Sequence, residues 1–311
     1  MSSFCFCAVA RPHTFSKQKE FCCLHYRHKP SLEPLAQRVV FFIQQKGGIV
    51  FYAALHTKYR VDVIALLLYN SRSKGGMIMI WVTGDTHGNF VRLDAFCRRV
   101  GITREDTIII LGDAGFNYYL DERDTLKKRY AGTFPATIFC IHGNHEVRPQ
   151  RIPTYLKRAY CGGKVYYEES YPNILFAMDG EVYDFDGYSC IAIGGAYSVD
   201  KRYRLAHGWG WWPDEQPDEE TKEKVERKLA ILGNKVDIVL SHTCPFRYQP
   251  VETFLPGINQ DKVDKTTELW LEKIEKCLTY KKWYCGHFHI SKQIDRMQFV
   301  FEDYQYLRSI Y

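Results

Sequence analysis

Met77-Ile78-Met79-Ile80-Trp81-Val82-Thr83-Gly84-Asp85-Thr86-His87-Gly88 is the stretch from which the fold is read. Its first six residues are apolar without alternation, which predicts a strand over 77–83 buried on both faces, and Gly84-Asp85 ends it. The same arrangement returns four times. A buried run over 107–111 leads to Gly112-Asp113, and one over 136–141 leads to Gly143-Asn144-His145-Glu146. Residues 236–240 lead to Ser241-His242, and 282–285 lead to Gly286-His287-Phe288-His289.

Helical periodicity fills the intervals. Residues 90–100 are expected to form a helix with Phe90, Leu93, Phe96, Cys97 and Val100 on one face. A second helix is expected over 217–232, with Val225, Leu229 and Leu232 inward and Gly233 as its stop. A third is expected over 264–278, with Trp270, Ile274, Cys277 and Leu278 on one side. Shorter strands are expected near 174–177, 181–185, 188–193 and 297–301. Strands alternating with helices predict βαβ units and a largely parallel sheet.

In such sheets ligands gather outside the carboxyl ends of the strands. Those ends here carry Asp85 and His87, Asp113, Asn144 and His145, His242, and His287 and His289. Glycine precedes Asp85, Asp113, Asn144 and His287, where the backbone must turn and leave room for a ligand. Carboxylate oxygen with neutral imidazole suits Mn, Zn or Fe, whereas an all-oxygen set would suit Mg or Ca. No cysteine occupies a donor position, which argues against a closed structural zinc. One carboxylate can bridge two cations about 3.5–4 Å apart, lowering the pKa of a shared water and clamping phosphoryl oxygens. The nucleophile is then solvent-derived, and no covalent enzyme intermediate is required.

The bulk composition excludes several classes. The formal charge of +6 is uneven: residues 1–76 hold 11 Lys/Arg against 3 Asp/Glu, and the remainder balances to −2. The motif-bearing part is therefore not basic, which disfavours a nuclease or other nucleic-acid binder. Eleven cysteines without regular spacing, among them Cys97, Cys140, Cys190 and Cys285 in apolar runs, read as buried thiols rather than a disulfide framework. The N-terminus lacks a basic region before its apolar stretch. No apolar run reaches the roughly 18 residues of a membrane span. A cytoplasmic, reducing compartment with no membrane partner is expected.

The five blocks together resemble the calcineurin-like metallophosphoesterase superfamily, whose signature reads Asp-x-His, Gly-Asp, Gly-Asn-His-Asp/Glu, His, Gly-His-x-His. The resemblance covers about 77–303. It implies a four-layer α/β/β/α sandwich of two mixed sheets and two divalent metal ions. It also implies that Asp85, His87 and His289 bind the first metal, that Asn144, His242 and His287 bind the second, and that Asp113 bridges them. His145 is implied as the catalytic group that stabilises or protonates the departing oxygen. The implied activity is metal-dependent hydrolysis of a phosphomonoester or phosphodiester, with a small-molecule or peptide phosphate ester as substrate. The alternatives are a Ser/Thr protein phosphatase-like activity and a catalytically silent metal-binding scaffold. The protein phosphatase branch carries Gly-Asp-x-x-Asp-Arg; here Phe116 and Asn117 stand in place of that aspartate and arginine. The dinuclear esterase reading is therefore favoured over the protein phosphatase.

Three segments remain. Residues 194–218 carry Tyr197, Arg202, Arg204, Trp209, Trp211 and Trp212, and form either a loop over the metals, with Arg202 or Arg204 gripping phosphate, or a satellite core of their own aromatics. Arg148 and Arg151 are read as exposed and solvated. Residues 1–76 are expected to be an N-terminal extension, a disordered arm or a product of start-codon choice, ahead of a metallophosphoesterase domain over 77–311. Within that extension a helix or two is expected over 38–68. Cys22, Cys23, His25 and His28 imitate a zinc cluster but lack a second half with ligand spacing.

Overall fold

The structure is a computed structural model that describes residues 78–308 and the backbone of residues 41–45 and 48–52. The chain divides into two compact units, residues 1–55 and 56–311. In the first, β1 (Phe41–Gln45) pairs antiparallel with β2 (Gly48–Tyr52), from Phe41 opposite Tyr52 to Gln45 opposite Gly48. This corrects the helix expected there. The aromatic and β-branched run of Phe41, Phe42, Ile43, Ile49, Val50, Phe51 and Tyr52 suits strands, and two residues connect them. The Cys22, Cys23, His25 and His28 reading, the rest of the helix expectation and the arm reading of residues 1–76 fall outside the described residues.

In the second unit the elements run β3 (Ile80–Thr83), α1 (Phe90–Val100), β4 (Thr107–Ile110), α2 (Glu122–Gly132), β5 (Thr137–Cys140), β6 (Leu156–Tyr160), β7 (Gly163–Glu168), β8 (Tyr171–Ala177), β9 (Val182–Phe185), β10 (Tyr188–Ile193) and α3 (Lys201–Ala206). They continue with α4 (Glu219–Ile231), β11 (Ile238–Ser241), α5 (Thr266–Cys277), β12 (Lys282–Cys285), β13 (Lys292–Ile294), β14 (Met297–Phe299) and β15 (Gln305–Tyr306). Seven strands form one sheet in the order β15-β3-β4-β5-β8-β7-β6, and six form the other in the order β13-β14-β12-β11-β10-β9. The inner strands β3, β4, β5 and β8 are mutually parallel. So are β10, β11, β12 and β14. Antiparallel strands flank both groups.

The layering follows from the period of two along each strand. Ile108 and Ile110 of β4 pack with the α1 face, whereas Ile109 and Leu111 pack with the second sheet. Ile138 and Phe139 of β5 divide in the same way. On the second sheet, Ile238 and Leu240 face the first sheet, and Val239 packs under Val225, Leu229, Trp270 and Ile274 of α4 and α5. Three apolar interfaces therefore separate four layers, α/β/β/α. Strands covered on both faces need apolar residues at every position, which is why they read as unbroken runs.

The five inward residues expected on α1 are all buried. On α4, Val225 and Leu229 are buried, but Leu232 falls at the helix end and is exposed. On α5, Trp270, Ile274 and Leu278 are buried, whereas Cys277 is exposed. The four cysteines expected inside, Cys97, Cys140, Cys190 and Cys285, are buried free thiols. Among the described residues no helix is long and apolar enough to cross a membrane.

Candidate metal centre

The carboxyl ends of β3, β4, β5, β11 and β12 meet at one edge of the sandwich and bring the seven expected donors together. Asp85 follows β3, and its carboxylate is almost fully buried. Its Oδ1 accepts the backbone N–H of His287 at 2.9 Å. Its Oδ2 has no hydrogen-bond partner, yet lies 3.3 Å from Nε2 of His289 and 3.8 Å from Nε2 of His87. A buried carboxylate oxygen set between two imidazole nitrogens needs positive charge beside it, which a protonated His289, raised by this carboxylate, or a metal ion in the same space supplies.

Asp113 follows β4. Its Oδ1 accepts the backbone N–H of His145 at 2.7 Å, and its Oδ2 lies 3.7 Å from Nε2 of His242. Its carboxylate falls within 4.8 Å of donor atoms in two separate groups, one with His87 and His145 and one with Asp85 and His242. Asp113 is thus common to both groups. Burial raises its carboxyl, but His242, His145 and His87 outweigh that and hold it below the ordinary carboxylate range.

The remaining donors come from β5, β11 and β12. His242 is fully buried, and its Nδ1 lies 2.7 Å from the carbonyl oxygen of Leu111. That carbonyl can only accept, so Nδ1 carries a proton and Nε2 is the atom turned toward the other donors. Nε2 faces the Asn144 Oδ1 at 2.7 Å, and the same oxygen is 3.1 Å from Nδ1 of His287. Each contact is a hydrogen bond while the ring nitrogen carries a proton, and a divalent cation in the same space would take the lone pairs of the Asn144 oxygen and both imidazoles instead. Burial pulls His287 down to about 3, so its imidazole is neutral and free to donate. The donor set therefore fits divalent metal ions on its own chemistry.

Four of the seven donors have left-handed backbone: His87 at φ +46, Asp113 at +48, His287 at +65 and His289 at +50. For residues other than glycine this conformation stores strain, and it persists only where the surroundings over-determine it.

Asn144 is oriented by a polar network outside the donor cluster. Its Nδ2 donates to Ser198 Oγ at 2.9 Å, which fixes the amide so that Oδ1 points at the imidazoles. Ser198 Oγ donates in turn to Glu215 Oε2 at 2.5 Å and accepts from Arg204 Nη1 at 3.1 Å. Trp211 Nε1 donates to the same Glu215 oxygen at 2.8 Å.

The 194–218 segment divides between its two readings: Tyr197, Val199 and Asp200 line the cleft at the metal centre, whereas the arginines and tryptophans do not. Arg204 is fully buried and lies 5.7 and 5.6 Å from the rings of Tyr118 and Trp212, so it closes a satellite core and does not grip phosphate. Arg202 is exposed and lines no part of the site. Arg148 is also corrected. It is buried, with Nη1 donating to Asp179 at 2.6 Å and Nε to the Asp214 carbonyl at 2.7 Å. Arg151 is exposed as expected and pairs with Asp214.

His145 lies at the rim, partly exposed, with Asp200 Oδ1 3.7 Å from its Nε2. That oxygen is buried and has no hydrogen-bond partner. Burial holds His145 below the ordinary imidazole value, against the pull of Asp113. Phe116 is fully buried and stacks on Phe90 at 4.5 Å, and Asn117 accepts from Tyr155 at 3.0 Å. Neither takes part in the site. Sequence reasoning missed Asp200, Ser198 and Glu215, whose roles arise only in three dimensions.

No curated protein matches the chain. Solved structures resemble it at low identity. The protein TT1561 of Thermus thermophilus is 14% identical at a TM-score of 0.41, covering 72% of this chain and 89% of that one. The phosphopantetheinyl hydrolase of Mycobacterium tuberculosis is 14% identical at 0.37, covering 71% and 87%. A protein serine/threonine phosphatase of Saccharomyces cerevisiae is 16% identical at 0.28, covering 79% and 77%. The family assignment rests instead on a profile match that contains every strand end of the metal centre. Over residues 78–291 the sequence matches the calcineurin-like phosphoesterase family, whose members hydrolyse phosphate esters with divalent metals, and the chain belongs to that family.

Proposed function

We propose that this chain hydrolyses a phosphomonoester or phosphodiester with a solvent-derived nucleophile at a pair of divalent metal ions, Mn, Zn or Fe. The observation that carries the reading is the convergence of seven expected donors around the buried Asp85 Oδ2 and the Asn144 Oδ1 that His242 and His287 share. Asp85, His87 and His289 would hold one ion, Asn144, His242 and His287 the other, and Asp113 would bridge them. When bound, the pair supplies positive charge to the phosphoryl oxygens and acidifies water. The catalytic domain on this reading spans 77–311, and the family match over 78–291 supports it. Free thiols at seven described cysteines support a cytoplasmic setting. The substrate is a small-molecule or peptide phosphate ester, and the −2 balance of residues 77–311 disfavours nucleic acid.

His145 is the residue placed to give a proton to the departing oxygen. Its backbone is held by Asp113, and its ring faces the Asp200 carboxylate. Asp200 supplies from a distant loop the negative charge that Phe116 cannot supply. His145→Ala is expected to lower kcat by about 10²–10⁴-fold for an alkyl leaving group and far less for p-nitrophenol, which needs little protonation. Metal content should be unchanged. Equal losses for both leaving groups would remove the acid role.

Ser198→Ala removes the acceptor of the Asn144 amide and frees the side chain to rotate. The expected result is metal binding weaker by about 10–100-fold, the usual effect of losing a partner that orients a ligand. Titration of the metal-free protein checks this, and kcat at saturating metal should recover.

The central test is a metal-reconstituted panel of bis-p-nitrophenyl phosphate, p-nitrophenyl phosphate, a phosphopeptide and nucleotides. Turnover dependent on Mn, Zn or Fe supports hydrolysis. Absence of turnover with every metal would leave the silent scaffold. Preference for the phosphopeptide would restore the protein phosphatase reading, against which the core positions of Phe116 and Asn117 weigh.

A further inference from the structure

A cleft of about 420 Å³ opens from the donors and His145 toward the segment between β11 and α5. Its volume suits a small molecule rather than a folded partner. Two features of its lining bear on what it holds. One wall is apolar: Phe254, Leu255, Ile258 and Val263 come from the 250–263 segment, with Val199 on the loop before α3 and Phe288 between the two histidines of the last block. Leu255 is 57% and Val199 37% exposed, so this apolar surface faces solvent beside the metal centre. Grouped apolar side chains left open next to a catalytic site mark a place where a ligand covers them.

The second feature is charge. Away from the donors, the acidic side chains lining the cleft are Asp200, Asp264 and Glu268, and among the described residues no lysine or arginine lines it. Nearby basic side chains are paired elsewhere: Lys292 with Glu252, Arg247 with Glu275, and Arg148 with Asp179. Arg204 Nη1 lies 3.9 Å from Asp200 Oδ1 without lining the cleft, so an anion bound here finds direct positive charge only at the metal centre. Any second anionic group on the substrate would face carboxylates across an apolar wall, at an energetic cost.

We infer that the substrate is a small phosphodiester whose second substituent is apolar and carries no negative charge, an aryl or alkyl group seated on Phe254, Leu255 and Ile258. This rests on the hydrolytic reading of the metal centre. A diester suits the cleft better than a monoester, because it brings one negative charge instead of two and places an organic group on each side of the phosphorus. The same argument disfavours nucleotides with further phosphates and acidic phosphopeptides.

The test holds the leaving group constant and varies the other substituent. Full-length protein loaded with Mn is assayed on p-nitrophenyl esters of phosphate carrying no second group, methyl, hexyl, phenyl or 4-carboxyphenyl. Hexyl or phenyl should exceed 4-carboxyphenyl in kcat/KM by about tenfold or more, the scale on which apolar pockets discriminate. The hexyl and phenyl arms tell alkyl from aryl. Leu255→Lys combined with Ile258→Lys, both in the loop, should bring the phenyl and carboxyphenyl values together by favouring the anion. In parallel, calorimetry measures binding of diphenylphosphinate and its carboxyphenyl counterpart, whose two P–C bonds are not cleaved. Turnover in which the carboxyphenyl diester or the monoester equals the phenyl diester overturns the inference and leaves the hydrolytic reading standing. Absence of all turnover, with diphenylphosphinate still bound more tightly than its carboxyphenyl counterpart, removes the hydrolytic reading and supports the apolar cleft. Absence of both overturns both.

Discussion

Asp113→Asn is expected to lower kcat for the best phosphate ester by about a thousandfold and to halve the metal bound per chain. Asn keeps the size of the side chain and an oxygen able to accept the His145 N–H, which Asp113 takes at 2.7 Å. The local backbone should therefore survive, and circular dichroism and thermal midpoint should change little. What the substitution removes is a negative charge shared between two groups of donors. Burial opposes that charge, while the neighbouring imidazoles and the hydrogen bond from the His145 backbone favour it. A thousandfold corresponds to about 4 kcal/mol, a plausible scale for a metal-derived stabilisation of several kcal/mol. Elemental analysis of bound metal and steady-state kinetics check it. A variant with wild-type kcat and metal content would remove the bridging role and with it the dinuclear mechanism.

The residues that meet at the candidate metal centre were legible in the sequence because of the strands that carry them. Strands covered on both faces leave apolar runs, and the polar residue just past each run marks the carboxyl end of a strand. Where burial is achieved by other means the signal disappears. Helix α2, Glu-Arg-Asp-Thr-Leu-Lys-Lys-Arg-Tyr-Ala-Gly over 122–132, has no apolar stripe. Its buried side chains are Asp124, Lys128 and Ala131. Asp124 accepts from the backbone N–H groups of Tyr119 and Leu120, and Lys128 pairs with Glu168. Such a helix is held by pairings with distant residues, and periodicity is silent about it. The β6–β7 hairpin at the sheet edge is missed for a related reason, since β6 is mostly exposed and needs no apolar face.

Arg148 shows the limit of composition. An arginine in a polar stretch reads as solvated, but Asp179, 31 positions away, takes it inside. Asp200 shows the converse. Nothing around it in the chain points to His145, and the pairing exists because β5 and β10 bring their following loops to the same edge. The alignment of the second block correctly leaves Phe116 out of the site, because that position is filled by core. It could not show that a carboxylate reaches His145 from another loop.

Gly112→Ala is expected to lower the thermal midpoint by roughly 5–15 °C and to weaken binding of the second metal ion, even though the residue bears no functional group. Two separate penalties act at this position. The backbone is left-handed at φ +100, where a β-carbon is strained. An added β-carbon would also lie 2.0 Å from Nδ1 and 2.5 Å from Cγ of His242. That ring has nowhere to go, being fully buried, bonded through Nδ1 to Leu111 and facing Asn144 through Nε2. Overpacking of this kind costs about 1–3 kcal/mol and the strained backbone about 1 kcal/mol more. In a domain of this size that amounts to the stated fall in midpoint. Gly187→Ala separates the two penalties: it also has positive φ, at +81, but nothing lies within 4 Å of an added β-carbon. It should show the backbone cost alone, with metal binding intact. If Gly112→Ala behaves like Gly187→Ala in both readouts, the close packing of glycine against His242 does not hold the donor in place. If only Gly112→Ala loses metal, then the glycines ahead of the donors are there for the room they leave as well as for the turns they make.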